Sequence, residues 1–104
     1  MRYRVEITEP AERNIEEAHE WLYSRSESAA LRWIDGLLEG IESLKHFPLR
    51  CPLAPESEDH AEEVRQVLYR HYRILYTIRN KCVYVLHIRH AARDRIRGLD
   101  LSQE

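Results

Sequence analysis

The sequence predicts an α+β fold in which one strand and a two-helix hairpin precede an antiparallel β-meander. Apolar residues alternate with charged ones at the N-terminus, then recur every three or four residues, and finally return to short runs rich in β-branched and aromatic side chains. With 104 residues, 43% of them hydrophobic and 33% charged, the chain supports one packed core. We therefore expect a single domain over residues 1–104, with a mobile tail beyond about residue 95.

The first two elements follow from local patterns. Residues 2–7 alternate between charged and apolar side chains, which predicts a half-buried strand. Thr8 then offers a helix N-cap, since its hydroxyl can accept from a backbone N–H, and Pro10 with two glutamates suits the first turn. Helical spacing continues through Ala11, Ile15, Ala18 and Leu22. The serine-rich run over residues 24–28 is expected to end this helix.

A second helix is expected to begin at Ser28 and to end before Pro48, because proline disfavours helical backbone in the residue before it. Its apolar side recurs at helical spacing through Ala30, Ile34, Leu37, Ile41 and Leu44. Gly36 and Gly40 lie on one side, where they are expected to admit the other helix of the hairpin.

The last third of the chain predicts three antiparallel strands, over residues 64–69, 72–78 and 82–88, with a turn at residues 79–81. We expect both helices on one face of this sheet. On one face of the second of these strands, alternation places Tyr72, Ile74, Tyr76 and Ile78, and we expect these side chains to face the helices. On the opposite face, which we expect to be open, alternation places Arg73, Leu75, Thr77 and Arg79. Trp21, Trp33 and Phe47 are expected in the core.

Charge is segregated along the chain. The net charge of −2 divides into −8 over residues 1–63 and +6 over residues 64–104, so a basic surface is compatible with a negative total. Arg65, Arg73 and Arg89 come from three strands and Arg93 follows the last one. Their predicted role is to form a site for an anionic strand or an acidic peptide. The alternative is a solvated face on which arginine stems cover apolar residues.

Several kinds of site are not predicted. Cys51 and Cys82 are too few for a disulfide framework and have no metal-ligand spacing, so we expect reduced thiols, no metal and no cofactor. The sequence shows no signal peptide or membrane span, which favours the cytoplasm. His71, His87 and His90 can move protons, and beside arginines such a group can support phosphodiester cleavage; structural histidines are the alternative.

A resemblance to a known family covers the chain from Tyr3 to about Arg93. The order of one strand, two helices and three strands resembles the RelE/ParE superfamily of bacterial toxin–antitoxin toxins. The similar segments are Leu44–Pro48, Val64–Val67, Tyr72–Tyr76 and Val83–Asp94. This resemblance implies that a cognate antitoxin is the partner.

The resemblance implies one of two activities. In a RelE-like, ribosome-dependent and metal-independent mRNA endoribonuclease, the matching catalytic residues would be Arg73, Arg93 and His90. The chain departs from that branch, because Arg65 and Gln66 occupy the positions of its lysines and Leu99 that of its terminal tyrosine. The segment from His90 to Asp94 is more similar to ParE, whose members inhibit DNA gyrase by binding.

The net charge of −2 also favours the ParE-like activity, since ribosome binding needs many cations. The resemblance then implies a non-enzymatic gyrase inhibitor in a hetero-oligomer with an acidic antitoxin, which would bind across Arg65, Arg73, Arg89 and Arg93. The alternatives are the endoribonuclease and a degenerate, non-toxic interaction module.

Overall fold

The computed structural model describes residues 2–92. The elements of this part are strand β1 (Arg4–Ile7), helix α1 (Glu9–Tyr23), helix α2 (Glu27–Glu42), and strands β2 (Arg65–Tyr69), β3 (Tyr72–Arg79) and β4 (Cys82–His90). Three short 3₁₀ turns lie between α2 and β2, at Ser43–Lys45, Pro48–Arg50 and Pro55–Asp59. The predicted order of strand, helical hairpin and three strands is confirmed.

The four strands form one mixed sheet in the order β1-β4-β3-β2. Strands β2, β3 and β4 are antiparallel neighbours, whereas β1 runs parallel to β4, with Arg4 opposite Cys82 and Ile7 opposite Val85. Thr8 fixes this arrangement. Its hydroxyl donates to the Val85 carbonyl at 2.8 Å and accepts from the Ala11 amide at 3.4 Å, so one side chain caps α1 and ties it to β4.

The main core lies between the helices and one face of the sheet. Its buried members come from α1, α2, β3 and β4, and they are Ala11, Trp33, Leu37, Ile41, Ile74, Val85 and Ile88. Helical spacing in α2 and strand alternation in β3 direct these side chains to a common layer. The predicted placement of both helices on one sheet face is therefore confirmed.

Two predictions for α2 are wrong in detail. The helix begins earlier than expected, because the Ser26 hydroxyl, and not that of Ser28, accepts from a first-turn amide at 3.2 Å. Gly36 does not admit the other helix. A Cβ built there would lie 2.2 Å from the Tyr69 hydroxyl of β2, and one built at Gly40 would meet nothing within 4 Å. The close approach at Gly36 is therefore between α2 and the sheet.

The aromatic residues expected in the core divide into two groups. Trp33 is buried as predicted, at 4% exposure, but Trp21 and Phe47 are 55% and 72% exposed, so the prediction is wrong for these two. Trp21 lies outside the apolar stripe of α1, and Phe47 precedes Pro48 with a positive φ of 50°. No helix within residues 2–92 is long and apolar enough to cross a bilayer.

Candidate binding site

The sheet face opposite the helices is closed. Residues 51–64 run across it, held by a hydrogen bond from the Gln66 amide of β2 to the Pro52 carbonyl at 3.1 Å and by one from the Thr77 hydroxyl of β3 to the Glu63 carbonyl at 2.8 Å. Ala54 and Val64 form a buried apolar cluster with Leu75 of β3, separate from the main core. The prediction of an open face is therefore wrong. Burial of the apolar Leu75 side chain is favourable, and residues 51–64 cover it.

Arg73 lies under the same segment. Its guanidinium contacts a carboxylate oxygen of Glu56 at 2.6 Å, and its Nε donates to the Gln66 side-chain oxygen at 2.9 Å. Arg73 and Glu56 are only 8% and 5% exposed. A buried guanidinium needs such partners, since an unpaired buried charge is strongly unfavourable. Arg73 thus holds the covering segment onto the sheet.

Arg65 of β2 is also bound to that segment. Its Nη1 donates to the Cys51 carbonyl at 2.6 Å and to the Leu49 carbonyl at 3.4 Å. Its Nη2 lies 3.3 Å from a carboxylate oxygen of Glu63. The side chain is partly exposed, and its described contacts fix the path of the chain between α2 and β2.

The proposed nuclease residues are not brought together. Arg73 lies on the covered face of β3, whereas His90 of β4 is opposite Tyr72 on the helix side. The His90 ring packs edge-on against Tyr72 at 5.1 Å and stacks on His71 at 6.3 Å. A register shift in the β3–β4 pairing accompanies the burial of His87, which is 5% exposed. The group expected to share protons is therefore divided between the two faces.

A groove of about 950 Å³ lies at one end of the molecule. Helix α1 lines it from Pro10 to Leu22, and the other walls are the start of α2, the β2–β3 turn and the end of β4. The α1 wall is held against β4 by Asn14, whose side-chain oxygen accepts from the Ile88 amide at 3.1 Å. Because the lining residues follow α1 over three turns, the groove is elongated along that helix.

The rim of the groove carries positive charge. Within residues 2–92, the lining charged residues are one glutamate, Glu17, and four arginines from four different parts of the fold, namely Arg13, Arg32, Arg70 and Arg89. Arg13 lies 3.4 Å from Glu9 in an exposed pair, and the Arg70 guanidinium lies 5.4 Å from the centre of the Tyr69 ring. Charges of one sign around a low-dielectric cleft strengthen the local potential, so the groove favours an anionic ligand.

The floor of the groove is aromatic. Trp33 lies there between Tyr72 and Tyr69, with ring centres 5.2 and 6.4 Å away. Among the described residues its Nε1 has no hydrogen-bond partner, although the atom is covered. Trp21 stands at the edge, half-exposed, with the Arg25 guanidinium 4.1 Å from its ring centre. Apolar area and positive charge are thus combined in one site.

The sequence prediction missed three of the rim arginines, Arg13, Arg32 and Arg70, because they are distant in sequence and none belongs to the strand pattern. A usable signal was that Trp21 and Arg32 lie just outside the apolar stripes of their helices, next to residues that pack inward. Arg93 lies outside the described residues. Within residues 2–92, no group of three histidine, cysteine, aspartate or glutamate side chains is placed to hold a metal ion.

Comparison with known proteins identifies a family. The family model described as the ParE toxin of the type II toxin-antitoxin system, parDE, matches residues 5–95. Among solved structures, the chain is similar to one from "Chromosomal ParDE TA system from P. aeruginosa", at a TM-score of 0.69 and 16% identity, over 85% of this chain and 95% of that one. At that identity the likeness shows the fold. No curated protein matches the sequence.

Proposed function

Because this chain belongs to the ParE toxin family of type II toxin–antitoxin systems, we propose that it inhibits growth by binding DNA gyrase and that a cognate antitoxin neutralises it in a cytoplasmic hetero-oligomer. The observation that supports a binding mode is the closed sheet face. Arg73, one of the catalytic residues that the endoribonuclease alternative would use, is ion-paired with Glu56 and is 8% exposed. A guanidinium held in this way does not reach an RNA phosphate without losing a buried partner.

The alternative nuclease function has less support from the geometry. General acid–base cleavage requires the proton-transferring group and the phosphate-stabilising group to converge on one reacting centre. Arg73 and His90 lie on opposite sides of the sheet. Mapping of transcript ends after induction separates the two functions, since codon-specific cleavage that disappears in an Arg73→Ala, His90→Ala double variant would support the nuclease and contradict our proposal.

Gyrase binding is tested with purified components. We expect the wild-type chain in molar excess to inhibit supercoiling of relaxed plasmid by gyrase, and the purified cognate antitoxin to restore it. Undiminished supercoiling at every toxin concentration would refute gyrase as the target. Expression without the antitoxin addresses the remaining alternative, because unchanged growth would identify a degenerate, non-toxic module.

The binding residues proposed from the sequence are Arg65, Arg73, Arg89 and Arg93. Of these, Arg89 lines the groove, while Arg65 and Arg73 contact the covering segment. We therefore expect Arg89→Gln and Arg93→Gln to weaken antitoxin or gyrase binding by about tenfold each, the effect of one charge-assisted contact. Arg4→Gln is the matched control, since Arg4 is exposed on β1 and does not line the groove. Equal losses in all three variants would contradict this assignment.

A further inference from the structure

We propose that the turn over residues 46–50, called here the Phe47 turn, is a surface by which the chain binds the protein that it inhibits. Phe47 and Leu49 enter an apolar pocket of that protein, and carboxylates at the rim of the pocket meet Arg50. The identity of the inhibited protein, gyrase, rests on the proposed function. The position and the chemistry of the surface come from the turn.

Phe47 combines an unfavourable backbone conformation with an exposed side chain. Its φ of 50° and ψ of 55° lie in the left-handed region, which is unfavourable for any residue with a Cβ and rare for a bulky one. At 72% exposure it is the most exposed large apolar side chain of residues 2–92, and it takes no part in their buried clusters. Burial therefore does not offset the cost of this backbone, and residues held in such conformations cluster at functional sites.

Three side chains of the fold hold the Phe47 turn in place. Arg50 donates to two of its carbonyls, and the one of Phe47 is 3.0 Å away. The buried Tyr76 hydroxyl donates to the Pro48 carbonyl at 2.6 Å. Arg65 donates to the next carbonyl along the chain at 3.4 Å. Because the backbone is fixed before any partner arrives, little conformational freedom is lost on binding, which favours a specific contact.

The apolar surface of the Phe47 turn suits a pocket in another protein. Leu49 is 59% exposed, and buried Pro48 separates it from Phe47 along the chain. The two exposed side chains present roughly 250 Å² of apolar surface, well below the about 800 Å² that each partner contributes to a stable interface. This area is too small for a flat contact between two copies of the chain. It is the size of an aromatic residue that fills a pocket as a hot spot.

Charge selects the rim of that pocket. Arg50 is exposed, and its guanidinium contacts carbonyls and the Ser43 hydroxyl instead of a carboxylate, so its charge is not neutralised by these contacts. Arg2 is also exposed and pairs through the backbone with His46, the residue before Phe47. Cations on two sides of Phe47 favour carboxylates on the partner and disfavour a basic partner.

The Phe47 turn and the groove lie at different ends of the sheet. The groove is at the His90 end of β4. The turn follows Lys45, whose carbonyl accepts from the Tyr3 amide at 2.9 Å just before β1, and β1 begins opposite Cys82, the first residue of β4. The two ends of β4 are about 26 Å apart at 3.3 Å per residue. Variants of the turn therefore leave the groove unchanged.

The first test compares two variants that each lose one exposed apolar side chain. Phe47→Gly places glycine in the left-handed position, so urea unfolding should find it at least as stable as wild type. We expect it to inhibit gyrase supercoiling only at about tenfold or more higher concentration, and to bind the antitoxin within about twofold of wild type. The control, Leu68→Ser, removes a 65% exposed side chain of β2. It should leave both measurements within about twofold of wild type.

A second measurement locates the contact. A photoreactive benzoylphenylalanine at position 47 should cross-link to a gyrase subunit, and the same group at position 68 should not. Undiminished inhibition by Phe47→Gly, or equal losses of gyrase inhibition and antitoxin affinity, would overturn the inference and leave the proposed function intact. A cross-link from position 47 only to the antitoxin or to a second toxin chain would overturn it as well. Failure of the wild-type toxin in excess to inhibit supercoiling would contradict the proposed function itself, and this inference with it.

Discussion

The ion pair between Glu56 and Arg73 should be a main support of the closed sheet face. The two charged groups are 2.6 Å apart, and their side chains are 5% and 10% exposed. In Glu56→Gln the guanidinium stays buried without its carboxylate. Breaking a buried pair in this way costs about 3–5 kcal/mol, a large fraction of the 5–15 kcal/mol by which a domain of this size is stable.

The loss of stability should be specific to a buried guanidinium that has lost its carboxylate. We expect an Arg73→Met, Glu56→Gln double variant to recover much of the stability lost in Glu56→Gln, because a buried ion pair can often be replaced by apolar and neutral groups at little cost. The double-mutant cycle should then give a coupling free energy of about 2 kcal/mol or more. Urea unfolding followed by far-ultraviolet circular dichroism measures each free energy of unfolding.

The chain offers a matched control for this experiment. Glu62 and Arg79 form a similar pair at 2.6 Å, but their side chains are 43% and 48% exposed, so Glu62→Gln should cost less than about 1 kcal/mol. If Glu56→Gln and Glu62→Gln lower the free energy of unfolding equally, burial does not set the strength of the pair. The conclusion that the buried Glu56–Arg73 pair is a main support of the closed sheet face would then be refuted.

Two further predictions concern packing and pH. Gly36→Ala should lower the free energy of unfolding by about 1–3 kcal/mol, because the new Cβ lies 2.2 Å from the Tyr69 hydroxyl, whereas Gly40→Ala should raise it by up to about 1 kcal/mol in the same urea titration; a gain in both variants would contradict the close approach. The Arg79 guanidinium holds the pKa of Glu62 below its ordinary value through two hydrogen bonds. The pair therefore stabilises the fold above the ordinary pKa of glutamate, about 4.3, and this small contribution is lost as the pH falls through the lowered value. In a ¹³C titration Arg79→Gln should raise the Glu62 pKa, and an unchanged value would exclude the guanidinium as its cause.

Local periodicity was enough to predict the helices and the meander. Each of these elements has its own signal, such as the three-four spacing in α2 or the alternation along β3. The signal is local because the apolar residues that become buried recur within that one element. The parallel pairing of β1 with β4 was not predicted. That pairing joins Arg4 to Cys82, and no local pattern encodes which strands of a sheet become neighbours across such a separation.

The closure of the second sheet face was missed for a related reason. Residues 51–64 contain prolines and acidic residues without helical or strand periodicity, which is the composition of a solvated loop. Their placement depends on single contacts, notably Glu56 with Arg73 and the Ser57 hydroxyl, which accepts from the Val64 amide at 3.0 Å. A glutamate in such a loop gives no sequence sign that its partner is a buried arginine on β3.

The charge segregation of the sequence has a different meaning in the folded chain. The basic C-terminal part supplies Arg65, Arg73 and Arg79, and each of these contacts a glutamate from the segment that precedes β2, namely Glu63, Glu56 and Glu62. Much of the positive charge of residues 64–104 is therefore engaged in ion pairs within the chain.

The positive surface of the groove has another origin. Half of its four arginines, Arg13 and Arg32, belong to helices in the part of the sequence whose net charge is −8. A polyanionic or acidic ligand responds to the local potential, which falls off within about 10 Å at moderate salt, and not to the sum over a segment. The groove, and not the sheet face on which Arg65 and Arg73 contact the covering segment, therefore provides the described surface best matched to an acidic partner.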